Sequence, residues 1–438
     1  MKTAVTHIPP VIDAHCSTAQ LTKPWMRWAV FFFLLGSLFG LLMRYALVGT
    51  LPESIDYKNI LHAHSHAALL GWGYLLVSGA MVFFYIKEKA RLKTYKTLLI
   101  ITVIANIGMA LSFPVQGYGL YSIIFSTLHL LVSYFFAFNL FRDLRKSEPG
   151  LDIQFVSWAL IWMMISTIGL WAIAPIGSVL GKTHPLYHLS VQWFLHFQLN
   201  GWFVYGMLGI LTFWLKQEKV FIQKANGKLF LFHLSLVLTF SSTVFTSTGW
   251  PVLYYFNLLG VILQAYVYLW ILQPAFKFIL INSPKNQNWI KRLILLGLIS
   301  LSTKAFVQLL MIYGPALDVS HHIRNLVVGF IHLVLLGAIT FGIGGIASKE
   351  RILPNNAMAK IGWALLGLGF VISELLLFVE GGLNWTKLGS IPFYLDLIFY
   401  ASAFFPIGLG MIFVSFWVEK TADLTVFCPI LKPKSLIS

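Results

Sequence analysis

Residues 61–72 read Leu61-His62-Ala63-His64-Ser65-His66-Ala67-Ala68-Leu69-Leu70-Gly71-Trp72, three imidazoles at the head of a long apolar run. Ionisable side chains are costly in hydrocarbon and mark functional positions when they occur inside a span. The surroundings show that this run is a span. The chain has 438 residues, 58% hydrophobic and only 11% charged, which lies outside the composition of a soluble globular domain. Twelve apolar stretches can be placed, each long enough for the roughly 20 residues that a helix needs to cross a bilayer. They fall near residues 25–47, 60–86, 97–115, 119–141, 154–176, 187–215, 229–247, 250–273, 292–313, 323–347, 358–380 and 393–418, with short connections. The expected fold is an all-α integral membrane domain over residues 25–418, with polar tails at 1–24 and 419–438.

A net charge of +16 would suggest nucleic acid in a soluble chain. Here the basic residues sit in alternate loops, which is an orientation signal rather than a basic groove. Of the 31 Lys and Arg, 25 lie in the two tails and in the loops on the same side as them. The opposite loops hold only Arg44, Lys58, Lys182, Arg324 and Lys387, and Lys304 lies within a span. Both termini are therefore expected in the cytoplasm of a cell whose inner (plasma) membrane, bacterial by this reading, holds the bundle. The cysteines, Cys16 and Cys428, fall in the tails, and no C-x-x-C-H run occurs. Neither a thiolate metal site nor covalently attached haem is indicated.

The histidine of the opening stretch recurs. His66 is followed five residues later by Gly71, His196 by Gly201 and His332 by Gly337, on spans two, six and ten. His66 and His196 are 130 residues apart, and His196 and His332 are 136 apart. This is a threefold internal repeat of four spans each. The next basic-side lysine follows after 21, 20 and 17 residues, about 25 to 32 Å at the helical rise. All three imidazoles therefore lie at similar depth in the outer part of the membrane, an arrangement suited to a buried cofactor.

With these residues in view, the layout resembles the catalytic subunit of the haem-copper oxidase and nitric oxide reductase superfamily, that is, cytochrome oxidase subunit I. His64-Ser65-His66 with Leu70-Gly71-Trp72 is similar to the H-x-H-x-x-x-L-G-W helix of cbb3-type members. The run from Trp193 through His196 to Gly201 resembles the sixth-helix W-x-x-H-x-x-x-E-G of the nitric oxide reductases, whose histidine binds the non-haem metal. His322 followed by His332 matches the outer members of the tenth-helix pattern H-x7-H-x-H. The chain departs from the family at three places. Phe330 stands where the family carries the high-spin haem ligand, Thr246-Ser247-Thr248-Gly249-Trp250 where it places a His-His pair, and Asn200 where the reductases have glutamate.

The resemblance implies a low-spin haem b held by His66 and His332, with His64 and His62 as further haem-site candidates. The His-x-His of span ten can also be read as displaced onto span two, as His64 and His66. Copper or non-haem iron at His196, His188, His184 or His322 is a further implication, and His321 and His322 could meet haem propionates. Each histidine also has a plainer reading, as an interhelical hydrogen-bonding group or a solvated loop residue. His129 and His233 are read as structural. Lys304, with Gln308 one turn on, suggests a proton or ion path or a paired charge. Glu374 lacks a nameable partner, Glu380 lies at a helix end, and the glycines of 342–345 suit close helix packing.

The function expected is membrane electron transfer or reduction of dioxygen or nitric oxide. Expected partners are the lipid bilayer, an electron donor (quinol or cytochrome) and a small cytochrome or oxidase-like subunit, with no nucleic acid. The alternatives are a proton- or metal-ion transporter or sensor using the histidine layer without haem, and a cofactor-free scaffold.

Overall fold

A computed structural model describes residues 10–418 except 223–226, 283–287, 311, 315, 316 and 318–321. His321, Cys428 and the 419–438 tail lie outside the described residues. Among those described, the regular elements are helical. We number the long helices α1 (Pro10–Tyr45), α2 (Tyr57–Tyr85), α3 (Lys89–Gln116), α4 (Leu120–Leu144), α5 (Leu151–Val179) and α6 (185–217). They continue as α7 (Lys228–Thr248), α8 (Pro251–Ile281), α9 (Asn288–Leu310), α10 (Arg324–Lys349), α11 (Ala357–Thr386) and α12 (Tyr394–Val418). Eleven of these are long and apolar enough to cross a membrane. The twelfth, α6, is equally long, but Gln198 and Asn200 lower its hydropathy; both are buried, so their polarity faces protein rather than lipid.

Local chemistry sets the helix ends. The Asp56 carboxylate caps α2 by accepting from the Lys58 and Asn59 backbone N–H groups, and the Asn356 side chain does the same for α11 through Ala359. These are the acceptors that satisfy otherwise orphaned first-turn donors. Pro251 stands at the first turn of α8, where its missing N–H costs nothing. Residues 10–24, expected as tail, instead extend α1, and the Thr18 hydroxyl donates to the Ile86 carbonyl at 3.0 Å. At the lysine-rich end the acids of the loops meet their bases. Arg91 pairs with Asp143 at 2.9 Å, Lys146 with Glu88 at 2.9 Å, and Lys349 with Glu218.

The threefold repeat is built into the backbone. A π-helical segment follows each repeat histidine: Ala67–Gly73 after His66, Gln198–Phe203 after His196 and Leu333–Ile343 after His332. Each repeat glycine presses against the first helix of its own group. A Cβ on Gly71 would meet Phe32 of α1 at 2.6 Å, one on Gly201 would meet Trp162 of α5 at 2.6 Å, and one on Gly337 would meet Ser300 of α9 at 2.4 Å. Only a residue without a side chain lets the helices approach so closely. The last helix, α12, packs against α1 and joins the third group to the first.

Candidate functional site

Successive residues of a helix turn by about 100°, so positions two apart point about 200° apart. His64 and His66 therefore serve different sides of α2. His64 faces α1: its Nδ1 donates to the Gly36 carbonyl at 2.8 Å, and its ring lies over Gly40, where a Cβ would come 2.9 Å from Cε1. It is within electrostatic range of His332 and Arg44. His66 faces α3: its Nδ1 donates to the His62 carbonyl at 2.9 Å, and its ring lies 4.1 Å from Phe113 and 5.8 Å from Tyr118. Of the two, His64 rather than His66 is the α2 imidazole within electrostatic range of His332. Helical periodicity is the reason.

His332 of α10 is held by α11, its Nδ1 3.1 Å from Glu374 Oε1. His64 and His332 consequently share one arrangement, with Nδ1 engaged and Nε2 available. Imidazoles that bind metals are held in this way, the distal N–H donated to a carbonyl or carboxylate. The other Glu374 oxygen, Oε2, is buried without a hydrogen-bond partner. Bases border the compartment. Arg44 of α1 interacts electrostatically with Tyr394, Tyr57, Arg324 and Glu374, and Arg324 donates to the Tyr57 hydroxyl at 3.0 Å. Glu380 is occupied elsewhere, its Oε2 accepting from the Ile391 N–H at 2.8 Å. Arg44 went unremarked in the sequence because it reads there only as a basic residue on the sparse side.

The second compartment, between α6, α8, α9 and α10, has different chemistry. His196 donates through Nε2 to the Leu236 carbonyl at 2.9 Å, which gives that nitrogen a structural use. Lys304 is fully buried among neutral groups, 3.4 Å from Gln264 Oε1 and 3.3 Å from the Tyr268 hydroxyl. Its Nζ lies 5.7 Å from the ring centre of Phe330. The position two before His332 is thus an aromatic ring covering an amine. His233 accepts through Nδ1 from the Tyr205 hydroxyl at 3.0 Å and packs 4.1 Å from Trp158.

The peripheral histidines do not join either compartment. His184 caps α6, its Nδ1 accepting the Leu186 N–H at 3.2 Å, and His188 is exposed beside Tyr187. His322 is exposed at the entry to α10, and His62 is half-buried with its ring 4.5 Å from Tyr118. Among the described residues no three His, Cys, Asp or Glu side chains converge as a metal-binding group.

No protein-family model and no curated protein matches the sequence. The fold has a solved counterpart in a haem-copper terminal oxidase dimer determined by electron cryomicroscopy. The two superpose with a TM-score of 0.61 at 12% identity, over 94% of this chain and 84% of the other. The fold is similar to that of a haem-copper oxidase. At this identity the likeness describes architecture; the chemistry must come from the side chains.

Proposed function

We propose that the chain is a membrane redox protein that binds one b-type haem between α2 and α10. The carrying observation is the pair His64 and His332, within electrostatic range of each other and each fixed through Nδ1, which leaves Nε2 as the ligating nitrogen. Three further features support the fit. Gly40 leaves the His64 ring uncrowded, the orphaned Glu374 oxygen marks a polar group without a protein partner, and Arg44 and Arg324 offer cations for the two haem carboxylates. The haem-copper oxidase fold supports the same reading.

Bound there, haem would supply a one-electron couple. The protein's part is to hold the ligand nitrogens, neutralise the carboxylates and keep the site in low dielectric. Glu374 fixes the orientation of the His332 ring through its Nδ1. Held by the two imidazoles of His64 and His332, the group would suit electron relay rather than gas binding. Gas reduction would need a second haem, and the family's ligand position for it is Phe330. Electron relay is therefore the role we assign, with a quinol or a cytochrome as donor.

The test is a reduced-minus-oxidised visible spectrum of detergent-purified protein. Sharp b-type bands are expected in wild type, lost in His64→Ala and in His332→Ala, and kept in His66→Ala. A colourless wild type produced with ample haem would sink the redox reading and favour a transporter or sensor that uses the histidines for protons or metal ions.

A further inference from the structure

The lysine-rich end of the molecule carries its charge unevenly. Residues 87–96 and 142–148, which open α3 and close α4, hold eight Lys and Arg and three acids. Two of those acids are engaged inside the cluster. Asp143 accepts from Arg91 at 2.9 Å and from the Tyr95 hydroxyl at 2.7 Å, and Glu88 pairs with Lys146 at 2.9 Å. These contacts tie the ends of α3 and α4 together and leave the pair strongly positive, with Lys93, Lys96 and Arg142 exposed. We propose that the joint face of α3 and α4 is a binding site for a phospholipid with an anionic headgroup.

Helical spacing puts these cations on the faces that meet lipid. Along α3, Lys93, Lys96, Ile100, Ile104, Ile107 and Leu111 follow one another at steps of three and four residues, which makes them one stripe. Its four apolar members are 36% to 70% exposed. Along α4 the same steps join Leu131, Phe135, Phe138 and Arg142, and the three apolar members are 42% to 68% exposed. The helices run antiparallel, Arg91 against Asp143 and Gly108 against Phe125, so Lys93 and Arg142 stand at one level. Farther along the pair lies an apolar groove of about 540 Å³, lined among others by Ile104, Ile107, Leu111 and Phe125. Ile104 and Ile107 are about 12 and 17 Å beyond Lys96 at the helical rise, and one leaflet of the hydrocarbon core is about 15 Å thick. An acyl chain hung from a headgroup at Lys93 and Arg142 therefore ends where the groove begins.

The form of the site selects the occupant. The cations continue directly into exposed apolar side chains, so what binds carries negative charge at one end and apolar length at the other. A soluble acidic protein would satisfy only the cationic end, and a free phosphate only the charge. An anionic phospholipid satisfies both, and clustered Lys and Arg at the edge of a span attract such lipids. The long stems of Lys93 and Lys96 keep their methylenes on the helix while the charged tips reach the headgroup level.

The experiment is thermal unfolding of the detergent-purified full chain with added phosphatidylglycerol or phosphatidylcholine. Phosphatidylglycerol is expected to raise the midpoint by several degrees more than phosphatidylcholine does, and salt at about 0.5 M to shrink that difference. Lys93→Gln combined with Arg142→Gln should abolish the difference while keeping the midpoint seen with phosphatidylcholine. Lys219→Gln combined with Lys277→Gln, at the same end of the molecule but on other helices, should leave the difference intact. Glycerol phosphate, a headgroup without chains, should give no shift. Equal shifts with the two lipids would overturn the proposal and leave an acidic protein as the partner of these cations. Equal losses in the two double variants would overturn it as well, and so would a full response to glycerol phosphate, which would point to a site for soluble phosphate.

Discussion

At the scale of single residues, the sequence showed which histidines recur but could not say which way they point. The motif His64-x-His66 was legible, and so was its likeness to the His-x-His of span ten. Which of them meets His332 depends on how α2 is rotated against α1, and that is decided by close contacts such as the His64 ring over Gly40. Likewise Glu374 showed as a buried acid with no visible partner, because its partner His332 is 42 positions away on another helix. That contact yields an expectation. Glu374→Gln removes the carboxyl group that holds the His332 ring and weakens the ring's donation to iron, which disfavours the ferric form. The midpoint potential of the haem should rise, by tens of millivolts, with the b-type bands retained. Redox titration checks it; an unchanged or lowered potential would show that Glu374 does not act on the ligand.

At the scale of elements, the period of the apolar runs placed the helices well, and the twelve expected stretches correspond in order to α1–α12. The misplacements have physical causes. Residues 10–24 look like a tail because they are polar, yet Thr18 and Thr22 are buried and hydrogen-bonded as α1 extends beyond the apolar run. The π-helical segments had no signal beyond the repeated His-x4-Gly. Their glycines are the sharper clue, since each is pressed against the first helix of its group. Gly337→Ala should therefore cost stability out of proportion to one methyl group, about 1–3 kcal/mol as for an overpacked core. The obstructing atoms are Cβ and Oγ of Ser300, at 2.4 and 2.5 Å from the added carbon, whereas the next, at 2.9 Å, is the swinging tip of Phe370. Adding Ser300→Gly to Gly337→Ala should recover most of the loss, a coupling that thermal unfolding of the single and double variants in detergent would measure. Additive losses would mean that the helices do not meet at this point.

At the scale of the whole molecule, three similar groups of helices have acquired dissimilar chemistry. The repeat histidines each lean on the third helix of their own group: His66 on Phe113, His196 on the Leu236 carbonyl and His332 on Glu374. What differs is the residue two positions before the repeat histidine on the next group's helix. For the His332 compartment that residue is His64, and for the His196 compartment it is Phe330, beside Lys304. The layout was legible from the spacing of the repeat, but this asymmetry required knowing which helices share a compartment. It leads to a count. The proposed haem ligands, His64 and His332, make one such pair, so pyridine haemochrome analysis should give one haem b per chain. With both imidazoles on its iron that haem would not take a gas, so carbon monoxide added to the reduced protein should leave the spectrum unchanged. The buried Lys304 amine, held among the described residues by the neutral Gln264 and Tyr268, argues the same way, since it takes up the space and polarity beside Phe330 where a second iron would need a ligand. Two haems per chain, or a carbon monoxide shift in a preparation that keeps its six-coordinate bands, would show that the His196 compartment binds haem despite Phe330.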